Sequence, residues 1–369
     1  MQRAINIRKF VLLLPCIILY VLAMAQTQKR WTIAPSAGTI FAHSVDVENT
    51  KGSTPIGIQL DYSWQHTDSN SFQTFSSLPF QGVSLSAFHF DNTILGNGYT
   101  LAYYLEPQLR IGKRAGIAFP AAIGLSYLTN PYNPKTNAGN NSYSTHFIVY
   151  LGLSLQPYVE INKNLQLGLS ASYRHVSNSG IKLPNRGVNW ITAELTARYF
   201  IKPQIDMQQI IKHHKQYKSK KQNRFDVCMF GASRSINSES SARYGVYGAG
   251  LLHSWQTGAT HALTLGAEAY NDIGAGRRMK NDGIEGRSSV RSGLMFGHEF
   301  LWGKFRFSQQ VGIYVFDQTP YYSSWYHRWG LLYGLNKHIS AGFVIKAHKH
   351  VAAFPDVRLV YSFLKYTKS

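Results

Sequence analysis

An imidazole and a hydroxyl stand two residues apart at His175-Val176-Ser177, and an amide, Asn189, opens the next apolar-patterned segment. In extended chain such i, i+2 residues share a face, with Cα atoms about 6.8 Å apart from a rise near 3.4 Å per residue. Their side chains can close that gap to a hydrogen bond, with His175 as general base taking the proton of a Ser177 nucleophile. A third group must fix the ring and its tautomer. Asn189 can accept from the imidazole N–H through its carbonyl oxygen, as Asn does in Cys-His-Asn proteases, although an amide stabilises an imidazolium less than a carboxylate does. The oxyanion of acyl transfer needs preorganised donors. The loop between the two segments offers Asn178, Asn185 and the backbone N–H groups around Ser179 and Gly180.

The elements that must carry these groups read as two strands. From 165 to 175 the odd positions are Leu165, Leu167, Leu169, Ala171, Tyr173 and His175, and the even ones Gln166, Gly168, Ser170, Ser172 and Arg174. From 189 to 200 the odd set is Asn189, Ile191, Ala193, Leu195, Ala197 and Tyr199, whereas Glu194 falls on the even, polar face. A His-x-Ser pair alone recurs by chance in many proteins. What gives this one weight is its place on an apolar surface, because an uncompensated His and Asn facing lipid would be costly.

That apolar surface belongs to a membrane protein. Residues 1–25 run from Arg3, Arg8 and Lys9 through the apolar stretch Phe10 to Leu22 and end in Ala23-Met24-Ala25, the order of a cleavable secretory signal, with Gln26 as the mature start. Beyond it no apolar run is long enough for a helical span, which needs about 18 residues. Aromatics nevertheless make up 14% of the chain and alternating segments recur along nearly all of it. Export with alternation and no helical span points to an all-β fold, an antiparallel transmembrane β-barrel of the outer membrane with about 14 to 16 strands.

Candidate strands lie near 32–43, 56–66, 81–89, 99–109, 114–125, 146–156, 164–175 and 189–200, and again near 224–234, 244–255, 260–271, 290–301, 304–316, 327–335, 339–348 and 356–364. Short turns at Gly112-Lys113, Asn162-Lys163-Asn164, Gly303-Lys304 and Asn336-Lys337 follow even-numbered strands. Longer loops at 126–145, 176–188, 272–289 and 317–326 follow odd-numbered ones. Turns on the periplasmic side and loops outside are the pattern of bacterial barrels, which places His175 near the outer leaflet. Residues 67–80 fit this badly, as a long connection on the short-turn side. Division follows as a barrel group over 26–201, a basic periplasmic linker over 202–223 and a second group over 224–369. Sixteen strands allow one wide barrel or two barrels of eight.

Several features invite a functional reading but do not hold one. Lys212-His213-His214-Lys215 has adjacent histidines without a carboxylate or cysteine cluster, so it reads as a solvated linker and not a metal site. Tyr321, Tyr322, Trp325, Tyr326 and Trp329 read as a membrane-interface aromatic cluster. His348 and His350 share a face with Gly342, Val344 and Lys346, which points them into the lumen. Loss of Cys16 with the signal leaves Cys228 alone, which excludes an internal disulfide. The formal charge of +20 favours anionic partners, and on an exported barrel the phosphates of lipopolysaccharide suit it better than nucleic acid.

His175-x-Ser177-Asn178, followed by Pro184-Asn185-x-Gly187 and the Asn189 strand, resembles the active-site segment of the outer-membrane lipid A deacylases, the PagL-type, acyloxyacyl hydrolase-like family. The resemblance is carried by residues 165–200 and extends as architecture over 31–200. It implies an eight-stranded barrel that removes an ester-linked acyl chain from lipid A by a serine esterase mechanism, with no metal or cofactor. By position it implies His175 as base, Ser177 as nucleophile and Asn185 as the loop asparagine associated with the oxyanion. The family's acid falls at Asn189, where this sequence departs from a Ser-His-Glu triad. Around Arg328 to Phe363 the second half resembles extended members of the family. The rival expectation from another class is a non-catalytic barrel, a porin or lipopolysaccharide-binding surface protein, for which sixteen strands would be wide enough.

Overall fold

A computed structural model describes residues 27–214, 221–237, 242–349 and 351–366. The expected signal, part of the linker's basic run and His350 lie outside the described residues. Two antiparallel barrels account for nearly all the rest.

The first begins with β1 (Thr27–Ile40), β2 (Ile56–His66) and β3 (Phe80–His89). Its fourth wall is broken at Pro107 into β4 (Asn97–Glu106) and β5 (Gln108–Arg110), and its fifth at Phe119-Pro120 into β6 (Ala115–Ala118) and β7 (Ala121–Leu128). Proline has no N–H for the ladder, so each wall is interrupted where one stands. Then come β8 (Phe147–Glu160), β9 (Leu165–Ser177) and β10 (Val188–Phe200). Pairing of β10 with β1 and of β9 with β8 closes the ring. The second barrel runs through β11 (Gln222–Arg234), β12 (Tyr244–Gln256), β13 (His261–Asp272), β14 (Val290–Trp302), β15 (Phe305–Asp317), β16 (Trp325–Gly334), β17 (Ile339–His348) and β18 (Val351–Tyr366), and β18 closes onto β11.

Both barrels are polar inside and apolar outside. Along β9 the odd residues Leu167, Leu169 and Tyr173 are exposed while Ser170, Ser172 and Arg174 are buried. The lumen of the first barrel is filled by ion pairs, Arg30 to Glu106 at 2.5 Å and Arg174 to Glu194 at 2.5 Å. In the second, Glu268 lies between Arg328 at 2.7 Å and Lys346 at 2.8 Å, and Asp356 receives Arg328 at 2.5 Å. Eight strands leave an interior only wide enough for side chains. Of the two closures that sixteen strands allow, the chain takes two filled barrels of eight, and the porin alternative loses its channel.

The awkward connection at 67–80 holds α1 (Ser69–Phe75), N-capped by Asp68, which accepts from Ser71 N–H at 2.9 Å. It packs beside α2 (Met207–His214) of the linker, so both irregular segments lie at the short-turn end. A third helix, α3 (Ile273–Asn281), follows β13. Strand parity corrects the aromatic cluster. Trp325 and Trp329 are exposed on the outer face, but Tyr326 is fully buried, and Tyr322 stacks on His348 at 4.4 Å between ring centroids. His348 itself turns inward, bonding Tyr314 Oη through Nε2 at 2.9 Å.

Candidate functional site

Register brings the sequence's polar residues together at the long-loop end of the first barrel. Asn189 pairs across the β9–β10 ladder with His175, and Ser177 pairs with Val149 on the other side. Behind them, at this end of the barrel, an apolar cluster caps the otherwise polar interior: Val176, Val188 and Trp190 are buried, with Trp190 edge-on to Phe88 and Phe90 at 5.6 and 5.3 Å. Each such buried side chain contributes roughly 1.5–3 kcal/mol, which fixes the strand ends and so the direction of the outward-facing odd residues.

On the outer face His175 Nδ1 and Asn189 Oδ1 are 2.6 Å apart. A carbonyl oxygen only accepts, so Nδ1 carries the proton and Nε2 keeps its lone pair. Tyr173 Oη donates to the same oxygen at 2.8 Å. On the amide's other side, Asn189 Nδ2 donates to His43 Nδ1 at 2.8 Å. His175 and Ser177 converge beneath Gly187, where an added Cβ would stand 2.9 Å from His175 Cε1 and 3.4 Å from Ser177 Cβ. Among the described residues no hydrogen bond joins the two directly; Ser177 Oγ instead accepts from Ser179 N–H at 3.4 Å. Catalytic hydrogen bonds are commonly long before substrate arrives.

The loop from 178 to 187 is built by its own asparagines. Asn178 N–H donates to Asn185 Oδ1 at 2.8 Å, and Gly180 N–H donates to Asn178 Oδ1 at 3.0 Å. Asn178 Nδ2 donates to Ser144 Oγ at 3.1 Å and to the Lys182 carbonyl at 2.7 Å. The donors of Asn178 and Gly180 thus hold the loop's shape. Asn185 engages only its oxygen among the described residues, leaving its amide nitrogen for a ligand, and Ser179 N–H already points at the hydroxyl. The neighbouring loop anchors the far end, with Gly187 N–H donating to the Ser142 carbonyl at 2.7 Å. Within that loop Tyr143 Oη donates to the Leu95 carbonyl at 2.7 Å, and burial pushes its phenol well above the usual range, so it stays a donor. The second barrel backs the site loop: Arg243 donates to the Ile181 carbonyl, and Gly180 packs against the Ala352 carbonyl.

Glu194 lies on the opposite face. Its carboxylate receives Arg174 at 2.5 Å and Thr192 Oγ1 at 2.8 Å inside the barrel, which excludes it as the acid of the outer cluster.

Two family profiles cover most of the chain: lipid A 3-O-deacylase (PagL) over residues 56–198, and the acyloxyacyl hydrolase C-terminal domain, PagL_C, over 223–366. The chain belongs to the PagL family of lipid A 3-O-deacylases. It is therefore an outer-membrane lipid A deacylase, a hydrolase of ester-linked acyl chains. The PagL profile takes in His175, Ser177, Asn185 and Asn189, and the second profile spans the whole second barrel. No curated protein sequence matches the chain. Among solved structures, the P. putida toluene transporter TodX is 9% identical, with 94% of this chain and 92% of that one covered and a TM-score of 0.19. A double mutant of Rh. blastica porin is 8% identical, with 92% and 100% covered and a TM-score of 0.18. These superpositions are too loose to relate the chains.

In this PagL-family barrel, sequence reasoning missed Tyr173 and His43 as partners of Asn189. Both sit at odd positions, so extending the parity along the first strand to 43 would have put His43 on the site's face. What was missing was the register that sets β1 beside β10.

Proposed function

We propose that this deacylase works as a serine esterase, with Ser177 as nucleophile, His175 as general base and Asn189 as the group that fixes the imidazole. The observation that carries the reading is the 2.6 Å contact from His175 Nδ1 to Asn189 Oδ1 on the lipid-facing side of the barrel. It leaves Nε2 unprotonated beside a serine at a height where an acyl ester arrives sideways within a leaflet. Exposed Leu151, Leu153 and Ile191 on the adjoining strands provide an apolar wall for the chain.

In the first half-reaction Ser177 Oγ bonds to the ester carbonyl carbon as its proton passes to His175 Nε2. Ser179 N–H, which points at the Ser177 hydroxyl, and the amide nitrogen of Asn185 are the donors assigned to the oxyanion. Collapse breaks the bond to the sugar oxygen, which takes the proton from His175 and leaves as a hydroxyl. Water then attacks the acyl-serine, giving its proton to His175; the fatty acid departs and Ser177 regains its proton. No metal or cofactor enters this sequence. The long-loop end faces outward in this reading, with α1, α2 and the basic linker in the periplasm and residues 1–25 removed on export.

Trapping tests the assignment. The folded protein in detergent, treated with a long-chain fluorophosphonate and digested, should carry one covalent adduct, on Ser177, and lose activity in proportion. Full inactivation with the adduct on another residue would refute it.

A further inference from the structure

His43 takes no part in the sequence of steps above, yet it completes the hydrogen-bonded chain that supports them. It follows β1 on the outward set Trp31, Ile33, Pro35, Ala37, Thr39 and Phe41. Phe41 N–H donates to the Asn189 carbonyl at 2.8 Å, so β1 stays beside β10 past its last regular rung. That rung delivers His43 Nδ1 to 2.8 Å from Asn189 Nδ2. Three adjacent strands thereby contribute to one hydrogen-bonded chain, His175 from β9, Asn189 from β10 and His43 from the end of β1, with Ser177 two residues from His175 on the same face of β9.

The two ends of an amide are electronically coupled. Drawing on its N–H raises the accepting power of its oxygen, and linked hydrogen bonds polarise one another most where water is scarce. A carboxylate in this position would stabilise the imidazolium by its charge. Asn189 has none, and Tyr173 Oη already shares its oxygen at 2.8 Å. We propose that His43 is a positioning residue of the hydrolytic centre: by accepting from Asn189 Nδ2 it holds the amide oxygen toward His175 and strengthens it as the imidazolium forms. The inference rests on the serine-esterase reading and adds to it an acceptor in place of the missing negative charge. The contact through which it would act on the imidazole is the one with Asn189.

That dependence makes a test. Deacylation of lipid A in mixed micelles would be measured for wild type, His43→Leu, His43→Asn, Asn189→Ala and the double variant His43→Leu/Asn189→Ala, with heat-modifiable gel mobility confirming that each barrel is folded. Loss of one neutral hydrogen bond from the transition state should lower kcat about tenfold in His43→Leu, with KM little changed. His43→Asn, whose Oδ1 takes the place of Nδ1 as acceptor, should recover most of that loss. In the Asn189→Ala background His43→Leu should have no further effect, because the group it acts through is gone. Wild-type kcat in His43→Leu, a loss confined to KM, failure of Asn to rescue, or a full additional loss on top of Asn189→Ala would each overturn the inference. Ser177→Ala separates the two levels. If it stays active, the serine reading falls and His43 with it; if it is dead while His43→Leu is normal, only the role of His43 falls.

Discussion

Replacing Asn189 by Asp asks what an amide does where the sequence resemblance implies an acid. The change is isosteric: Oδ1 stays 2.6 Å from His175 Nδ1 and 2.8 Å from Tyr173 Oη, and Oδ2 takes the place of Nδ2 facing His43 Nδ1 at 2.8 Å. The new carboxylate is largely desolvated, Asn189 being 7% exposed. An unpaired charge there would be untenable. It meets three donors, however, once His43 moves its proton to Nδ1. Hydrogen bonds to a charged partner contribute roughly 1.5–3 kcal/mol against about 0.5–1.5 for neutral ones. The imidazolium formed in the transition state should therefore gain about 1–1.5 kcal/mol, which is about tenfold in kcat/KM. The assay is the initial rate of acyl-chain release from lipid A by the purified, folded variant, alongside Asn189→Ala, whose rate should fall at least tenfold. A folded Asn189→Asp enzyme slower than wild type would refute the view that this amide is a weaker version of a carboxylate.

Other substitutions separate chemistry from architecture. Glu194→Ala leaves Arg174 buried without its carboxylate, and removing one partner of a buried pair costs roughly 3–5 kcal/mol; urea titration of the folded barrel should show that loss, while the surviving folded fraction keeps its kcat. Gly187 has φ +77°, and an added Cβ would stand 2.9 Å from both His175 Cε1 and the Val176 carbonyl. Strain at such positions is of order 1–3 kcal/mol, so Gly187→Ala should push the imidazole aside and cut kcat tenfold or more with the barrel still folded. Gly180, at φ +83°, packs 3.1 Å from the Ala352 carbonyl at its Cβ position. Gly180→Ala should therefore loosen the loop from the second barrel, seen as faster proteolysis between 178 and 187. In planar bilayers the protein should give no stable conductance, since ion pairs fill both lumens; open steps of porin size would contradict the packing.

Much of this is legible from parity. A period of two is unforgiving, so the odd set from Leu165 to Ser177 and from Asn189 to Tyr199 assigns lipid-facing and lumen-facing residues, including the exclusion of Glu194, without knowledge of neighbours. Parity applied less strictly fails: aromatic character groups Tyr322 and Tyr326 with Trp325 and Trp329, although Tyr326 and Trp325 are adjacent and must face opposite ways. Closure is not legible, because a ring of sixteen and two rings of eight differ only in the pairings of β1 with β10 and β11 with β18. Local pattern does not encode such pairings between distant strands. The same long-range register brings His43 to Asn189. Loop hydrogen bonding is hidden for a different reason. Asn178, Gly180 and Asn185 are all plausible oxyanion donors by type, and only coordinates show that the first two donate to the loop itself.

The central claim is that a serine on the barrel's outer face performs the deacylation. It is tested most directly by mass spectrometry of lipid A from cells expressing wild type or Ser177→Ala at equal levels of folded barrel. Wild-type cells should contain lipid A lighter by one ester-linked acyl chain, and Ser177→Ala cells should match the uninduced control. The same lighter species in Ser177→Ala cells would contradict the account.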